Sequence, residues 1–134
     1  MIERLVVVIV LALVGVALYQ LSTRYQLRKA AHTAPADPLL GDFKPGVPTI
    51  VYFTTPTCAP CRLQQTPTLQ QLQSEVGSAG LHVIRVDATI DPQAAERWGV
   101  FSVPTTFVLD RDGKPRTVYN GVVDSKTLKQ QLQV

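Results

Sequence analysis

Cysteine is scarce in this chain: 134 residues hold two, Cys58 and Cys61. That excludes a disulfide-rich secreted scaffold, in which several bridges replace a core. A structural zinc site usually wants four ligands, and the folded part offers only His82 besides the two cysteines, so no metal is expected. A basic surface is missing too. From Ala30 onward nine Lys and Arg face nine Asp and Glu, so the net +3 belongs to Arg4, Arg24, Arg28 and Lys29 less Glu3. A neutral domain argues against a nucleic-acid partner. There is no internal repeat.

One hydrophobic run is long. Leu5 to Thr23 carries no charge, and its centre from Leu5 to Leu18 is almost wholly apolar. As a helix it reaches ~28 Å, close to the ~30 Å of a bilayer's hydrocarbon. Tyr19 sits where an interfacial aromatic belongs, and Arg24 closes the run. A retained single-pass anchor in the cell membrane is expected. The competing reading is a cleaved signal peptide, for which Gly15-Val16-Ala17 offers a weak site. Arg24, Arg28 and Lys29 outnumber Arg4, which leans the domain toward the cytoplasmic face; an extracytoplasmic domain is the alternative.

The chain divides into an anchor with its basic flank (1–29), a Pro-rich linker (30–46) and a folded domain (47–134). Pro35, Pro38 and Pro45 make the linker extended. Leu39, Leu40 and Phe43 are apolar enough to pack on the domain's flank, or else lie exposed beside the membrane. About 85–90 residues then suffice for one modest core.

Residues 49–54 are β-branched and aromatic and predict a strand. A helix follows, with Pro60 in its first turn, where a missing N–H costs nothing. Leu69, Leu72 and Val76 form its apolar stripe, with Leu63 near its start, and most of the glutamines face water. Pro67 predicts a kink. Residues 81–86 alternate as a second strand. Asp91-Pro92 starts a short helix, and Trp98 belongs to the core. Residues 105–109 and 116–119 form a hairpin around Asp110 to Gly113. Asp124 or Ser125 caps a last helix. The order β-α-β-α-β-β-α predicts an α/β domain: a four-stranded mixed sheet, first pair parallel, helices on both faces.

Cys58-Ala59-Pro60-Cys61 stands where the first strand becomes a helix. A helix N-terminus places partial positive charge and open N–H groups beside a sulfur, which favours the thiolate, the attacking species in disulfide exchange. Cys58 is therefore the expected nucleophile. Cys61, one turn in, is the expected resolving thiol. A static structural disulfide is the bland alternative, but so small a loop adds little stability.

At these residues the chain resembles the thioredoxin family, over roughly Val47 to Val134. Cys58-Ala-Pro-Cys61 after a strand, Trp98 to Pro104-Thr before a later one, and Gly121 after the hairpin carry the resemblance. It implies the thioredoxin-like fold and a cis Val103-Pro104 bond facing the cysteines. Val103 would then offer its main chain to an extended substrate, with Thr57, Ala59, Pro60 and Pro104 shaping the edge. Thr57 stands where the family usually has Trp, and Tyr52 where it usually has a buried Asp. The family's N-terminal strand and helix have no clear counterpart.

The expected activity is membrane-tethered thiol-disulfide exchange by a monomer that reduces protein disulfides. It needs no bound cofactor, and an upstream dithiol donor supplies electrons, either like thioredoxin reductase or a membrane electron carrier. The alternatives are a disulfide-forming oxidant, a protein of cytochrome c maturation, and a non-catalytic adaptor.

Overall fold

The computed structural model describes residues 1–33, 38–40, 46–77 and 80–132. Helix α1 spans Ile2–Thr33. It is followed by a short 3-10 turn at Pro38–Leu40. Strand β1 (Thr49–Thr54) comes next, then a π-helical turn (Cys61–Gln65) running into α2 (Thr66–Val76). Then come β2 (His82–Asp87), α3 (Pro92–Arg97), β3 (Thr105–Leu109), β4 (Pro115–Asn120) and α4 (Ser125–Leu132). The domain has the thioredoxin-like fold, with the element order and mixed sheet that the pattern predicts.

The sheet order is β2-β1-β3-β4. β1 and β2 run parallel, and the other two pairs are antiparallel. The registers Thr54↔Asp87, Phe53↔Thr105 and Thr105↔Asn120 put the ends of β1, β2 and β4 and the start of β3 at one end of the sheet. The loop to Cys58 leaves from that end. Pro115 is tolerated because β4 is an edge strand.

β1 is buried along its whole length, so its alternate side chains feed two cores. Ile50 and Tyr52 meet Cys58, Cys61, Leu69, Leu72 and Leu128 on the face of α2 and α4. Val51 and Phe53 meet Phe107, Trp98, Ala94 and Ala30 on the other. There the rings of Phe53, Trp98 and Phe107 stand 5.2 to 6.3 Å apart at tilted or edge-on angles. Each ring removed from water contributes roughly 1.5–3 kcal/mol. Asp91 caps α3 through Ala94 N–H and Asp124 caps α4 through Thr127 N–H, as the sequence suggests.

The second face differs from expectation in what covers it. α1 continues through Thr33, past residue 30, where an extended linker was expected, and its end docks beside α3 and β4. Gln26 and Ala30 are buried. Leu27 packs on the same core, and Thr33 Oγ1 donates to Arg97 O at 3.0 Å. Nothing in the sequence signalled a helix packed ahead of β1; the end of α1 supplies one. Leu40 also packs on this core, as expected. The side chain of Leu39, and Phe43 altogether, lie outside the described residues.

Upstream, α1 is long and apolar enough to cross a membrane, and its apolar window buries nothing against the domain.

Candidate functional site

Cys58 and Cys61 are joined as a disulfide, with Cα atoms 5.3 Å apart. They differ in access. Cys58 retains 8% exposure and Cys61 none. Cys58 N–H donates to Thr55 O at 3.2 Å, closing the turn out of β1. Cys61 N–H donates to Cys58 Sγ at 3.2 Å. That donor is one of the unpaired N–H groups at a helix start, and it favours negative charge on Cys58 when the bond is open. Thr57, Ala59 and Pro60 are exposed around the disulfide.

The helix behind it is not a regular α-helix. Thr66 N–H bonds Cys61 O, five residues back. Pro67 has no N–H to give and would clash with a close carbonyl one α-turn back, and the wider turn before it accommodates the proline. The expected kink thus takes the form of a π-turn beginning at the second cysteine. The wide turn also corrects two expectations. Leu63, placed near the start of the apolar stripe, is 67% exposed. Gln65, one of the glutamines read as mostly facing water, is fully buried. Its amide closes a reciprocal pair with Val123, Nε2 donating to Val123 O at 3.1 Å and Oε1 accepting Val123 N–H at 2.8 Å. Gln65 thereby ties the cysteine helix to the loop after β4. A glutamine in a glutamine-rich run gave no signal of this.

That loop completes the site. Val103-Pro104 is a cis peptide, as the resemblance implies. Gly121 N–H donates to Pro104 O at 2.9 Å, locking the Gly121 loop against the proline. Val103 packs against the cluster that holds both cysteines, and Pro104 is buried. Since β3 begins beside the end of β1, the sheet brings Pro104 to the disulfide end.

Tyr52 is buried behind Cys61. Its hydroxyl lies 3.4 Å from Cys61 O and 3.1 Å from Thr66 Oγ1. It therefore braces the π-turn from below. Beside it opens a cavity of about 180 Å³ lined by Tyr52, Thr66, Leu69 and Arg85 among others. Among the described residues no group of three or more His, Cys, Asp and Glu could hold a metal. Trp98 is fully buried in the opposite core, as expected for a packing residue, and His82 is a half-buried strand residue.

A disulfide at a helix start, one cysteine retaining a little exposure and the other fully sealed, beside a cis-proline edge, suits reversible thiol exchange. Comparison with known proteins agrees. The Thioredoxin family model matches residues 43–134. Thioredoxin 1 of Nostoc sp. is 30% identical over 87 residues, covering 65% of this chain and 78% of that protein. Thioredoxin of Chlamydia caviae is 34% identical over 79 residues, 59% of this chain and 74% of its own length. The X-ray structure of Fasciola hepatica thioredoxin superposes with a TM-score of 0.57 at 25% identity, over 66% of this chain and 81% of that one.

Proposed function

We propose, from the premise that this chain belongs to the thioredoxin family and is a thiol-disulfide oxidoreductase, that it is tethered to a membrane and reduces protein disulfides there. The observation that carries this reading is the unequal exposure of the paired cysteines at a helix start.

In the reduced protein, the Cys58 thiolate attacks one sulfur of a substrate disulfide. A Cys58–substrate bond forms, and the other substrate sulfur leaves as a thiolate that takes up a proton. Cys61 then loses its proton, and its sulfur attacks Cys58. The Cys58–Cys61 bond forms and the second substrate thiolate departs. Two electrons pass to the substrate, and an upstream dithiol protein returns them. Such exchange runs through mixed disulfides, and the thiolate is the attacking species. Val103 offers its main chain to an extended substrate segment beside Pro104, and Thr57, Ala59 and Pro60 form the rim. The tether is the exposed apolar part of α1. Arg24, Arg28 and Lys29 after it, against Arg4 before it, favour a domain on the cytoplasmic side.

The test uses the full chain. Cys61→Ser is expected to accumulate mixed disulfides with client proteins, and Cys58→Ser to form none. Intact function in Cys58→Ser would instead identify an adaptor. The reduction potential decides direction: a reductase lies near about −270 mV, and a value near about −120 mV would make the protein an oxidant. Cells treated with a permeant reductant, washed and exposed to an impermeant maleimide report sidedness. Labelling of Cys58 only after lysis is expected; labelling of intact cells would reverse the orientation.

A further inference from the structure

We infer that the disulfide end of the domain faces the membrane at headgroup height, so that the substrates of this protein are disulfides held close to a bilayer surface. The inference deepens the proposed function and rests on the reading that α1 crosses a membrane.

The first support is where α1 leaves the domain. Gln26 Nε2 donates to Gly99 O and to Asn120 Oδ1, and Asn120 Nδ2 donates to Gln26 Oε1. Asn120 pairs with Thr105, at the disulfide end of the sheet. From Gln26 the helix runs on to Thr33 at the end of α3, and the chain enters the sheet at Thr49, at the opposite end. Followed backward, α1 therefore exits past the end that carries Cys58. It does so without a break, since one helix holds both the docked and the apolar parts.

The second support is distance. Thr23, the last residue of the uncharged run, precedes Gln26 by three residues, or about 5 Å of helix. Asn120 is separated from β1 by β3, two strand spacings or about 10 Å across the sheet. The end of the apolar run and the disulfide loop thus lie close together. Ser22 and Thr23 are already half-buried. Burial raises the phenol pKa of Tyr119, against a hydrogen bond with Gln131, and Asp124 and then Tyr19, one further turn up α1, add to the rise. No length of free chain separates span from domain.

The third support is independent of α1. Among the described residues after the helix, the exposed large apolar side chains are Leu63, Ile90, Phe101 and Val122. All four belong to the disulfide end: Leu63 follows the disulfide in the π-turn, Ile90 follows β2, Phe101 precedes Pro104, and Val122 follows Gly121. The other end carries the Asp110 to Gly113 turn with Arg111, Lys114 and Arg116. An apolar rim interleaved with Arg62, Asp87, Asp91 and Asp124 suits the headgroup boundary, and the opposite end, with no large exposed apolar side chain among the described residues, suits water.

A substrate disulfide must then reach Cys58 between the domain and the bilayer. A bulky folded protein is excluded from that gap, whereas a segment emerging from a neighbouring span is already inside it.

The test places the full chain in phosphatidylcholine discs with brominated acyl chains, which quench nearby tryptophan. The emission of Trp98 in the unsubstituted chain is subtracted. Phe101→Trp is expected to lose at least half of its added emission, and Lys114→Trp less than a tenth. Equal quenching, or quenching of Lys114→Trp alone, overturns the orientation and leaves the tether standing. Release of the chain from vesicles by alkaline carbonate overturns both. A second measurement inserts eight Gly and Ser residues between Thr23 and Arg24. Single-turnover reduction of a folded soluble disulfide protein is expected to rise at least tenfold, while reduction of a small aromatic disulfide stays unchanged. An unchanged rate with the folded protein overturns the restricted access.

Discussion

Gln26 and Asn120, 94 residues apart, exchange two amide hydrogen bonds of 3.1 and 2.8 Å, and Gln26 also donates to Gly99 O. Gln26 is 1% exposed. Its truncation removes these bonds and leaves the half-buried Asn120 Nδ2 and Gly99 carbonyl without this partner, while Asn120 Oδ1 keeps Thr105 Oγ1 at 3.5 Å. Each net bond contributes about 1 kcal/mol, and an orphaned buried partner costs about 1–3. Gln26→Ala is expected to destabilise the domain by about 2–3 kcal/mol, measured by denaturant unfolding of the full chain in detergent, while Arg28→Ala, exposed on the same helix, changes little.

Gln65 to Val123 is the matching clamp on the other face. Gln65→Leu keeps the volume but leaves a buried N–H and C=O of Val123 without a partner. A loss of about 2–4 kcal/mol is expected. Amide exchange at Val123 reads it locally and should speed up more than exchange in β1.

Thr106 Oγ1 is buried with no hydrogen-bond partner. Thr106 lies directly between Tyr52 and Tyr119 in the register of the sheet. Replacing an unpaired buried hydroxyl by a methyl of the same shape removes a desolvation cost. Thr106→Val is expected to raise stability by about 1 kcal/mol in denaturant unfolding. A loss instead would mean the hydroxyl has a partner in solution.

Acid should weaken the fold through specific carboxylates. Asp110 is partly desolvated, which raises its pKa, but N–H bonds from Lys114 and Asp112 and the Arg116 guanidinium outweigh this and leave it lowered. Asp124 is lowered by its capping contacts with Thr127, and Asp87 by Thr89. A carboxyl with a lower pKa folded than unfolded adds stability above its unfolded value, and that stability is lost as pH falls through the folded one. The thermal midpoint should therefore hold from neutral pH to about 4 and fall below it. Asp110→Asn should shallow that acid slope.

Most of the sheet was legible because β1 and β3 are short runs of β-branched and aromatic residues between turn signals. The caps at Asp91 and Asp124 were legible because their chemistry is local. Cys58 and Cys61 stood out by their spacing and their place between a strand and a helix, and the cis Pro104 only by resemblance. The π-turn was not legible. Pro67 signalled a disturbance, but its form depends on Tyr52 and Val123, which are remote in sequence. The docking of Gln26 and Ala30 was hidden for a similar reason. Arg24, Arg28 and Lys29 mark the residues around them as a basic flank, and the small buried face between them becomes visible only when Gly99 and Asn120 are brought beside it. Gly99 itself, at φ +71, makes a left-handed turn beside α1 that a residue with a side chain would adopt only under strain.

Because a single unbroken helix runs from the apolar segment into the docked face, the two are locked in phase. Adding one residue between them turns the span by about 100° relative to the sheet and lifts it by about 1.5 Å. Two residues would bring a different side of the helix to Asn120. A change of about seven residues, close to two full turns, is the smallest that restores the angle to within about 20°, and it moves the domain about 10 Å along the axis. The length of α1 between Thr23 and Gln26 therefore acts as a ruler, and homologues that keep this docking should vary there in steps of whole turns or not at all.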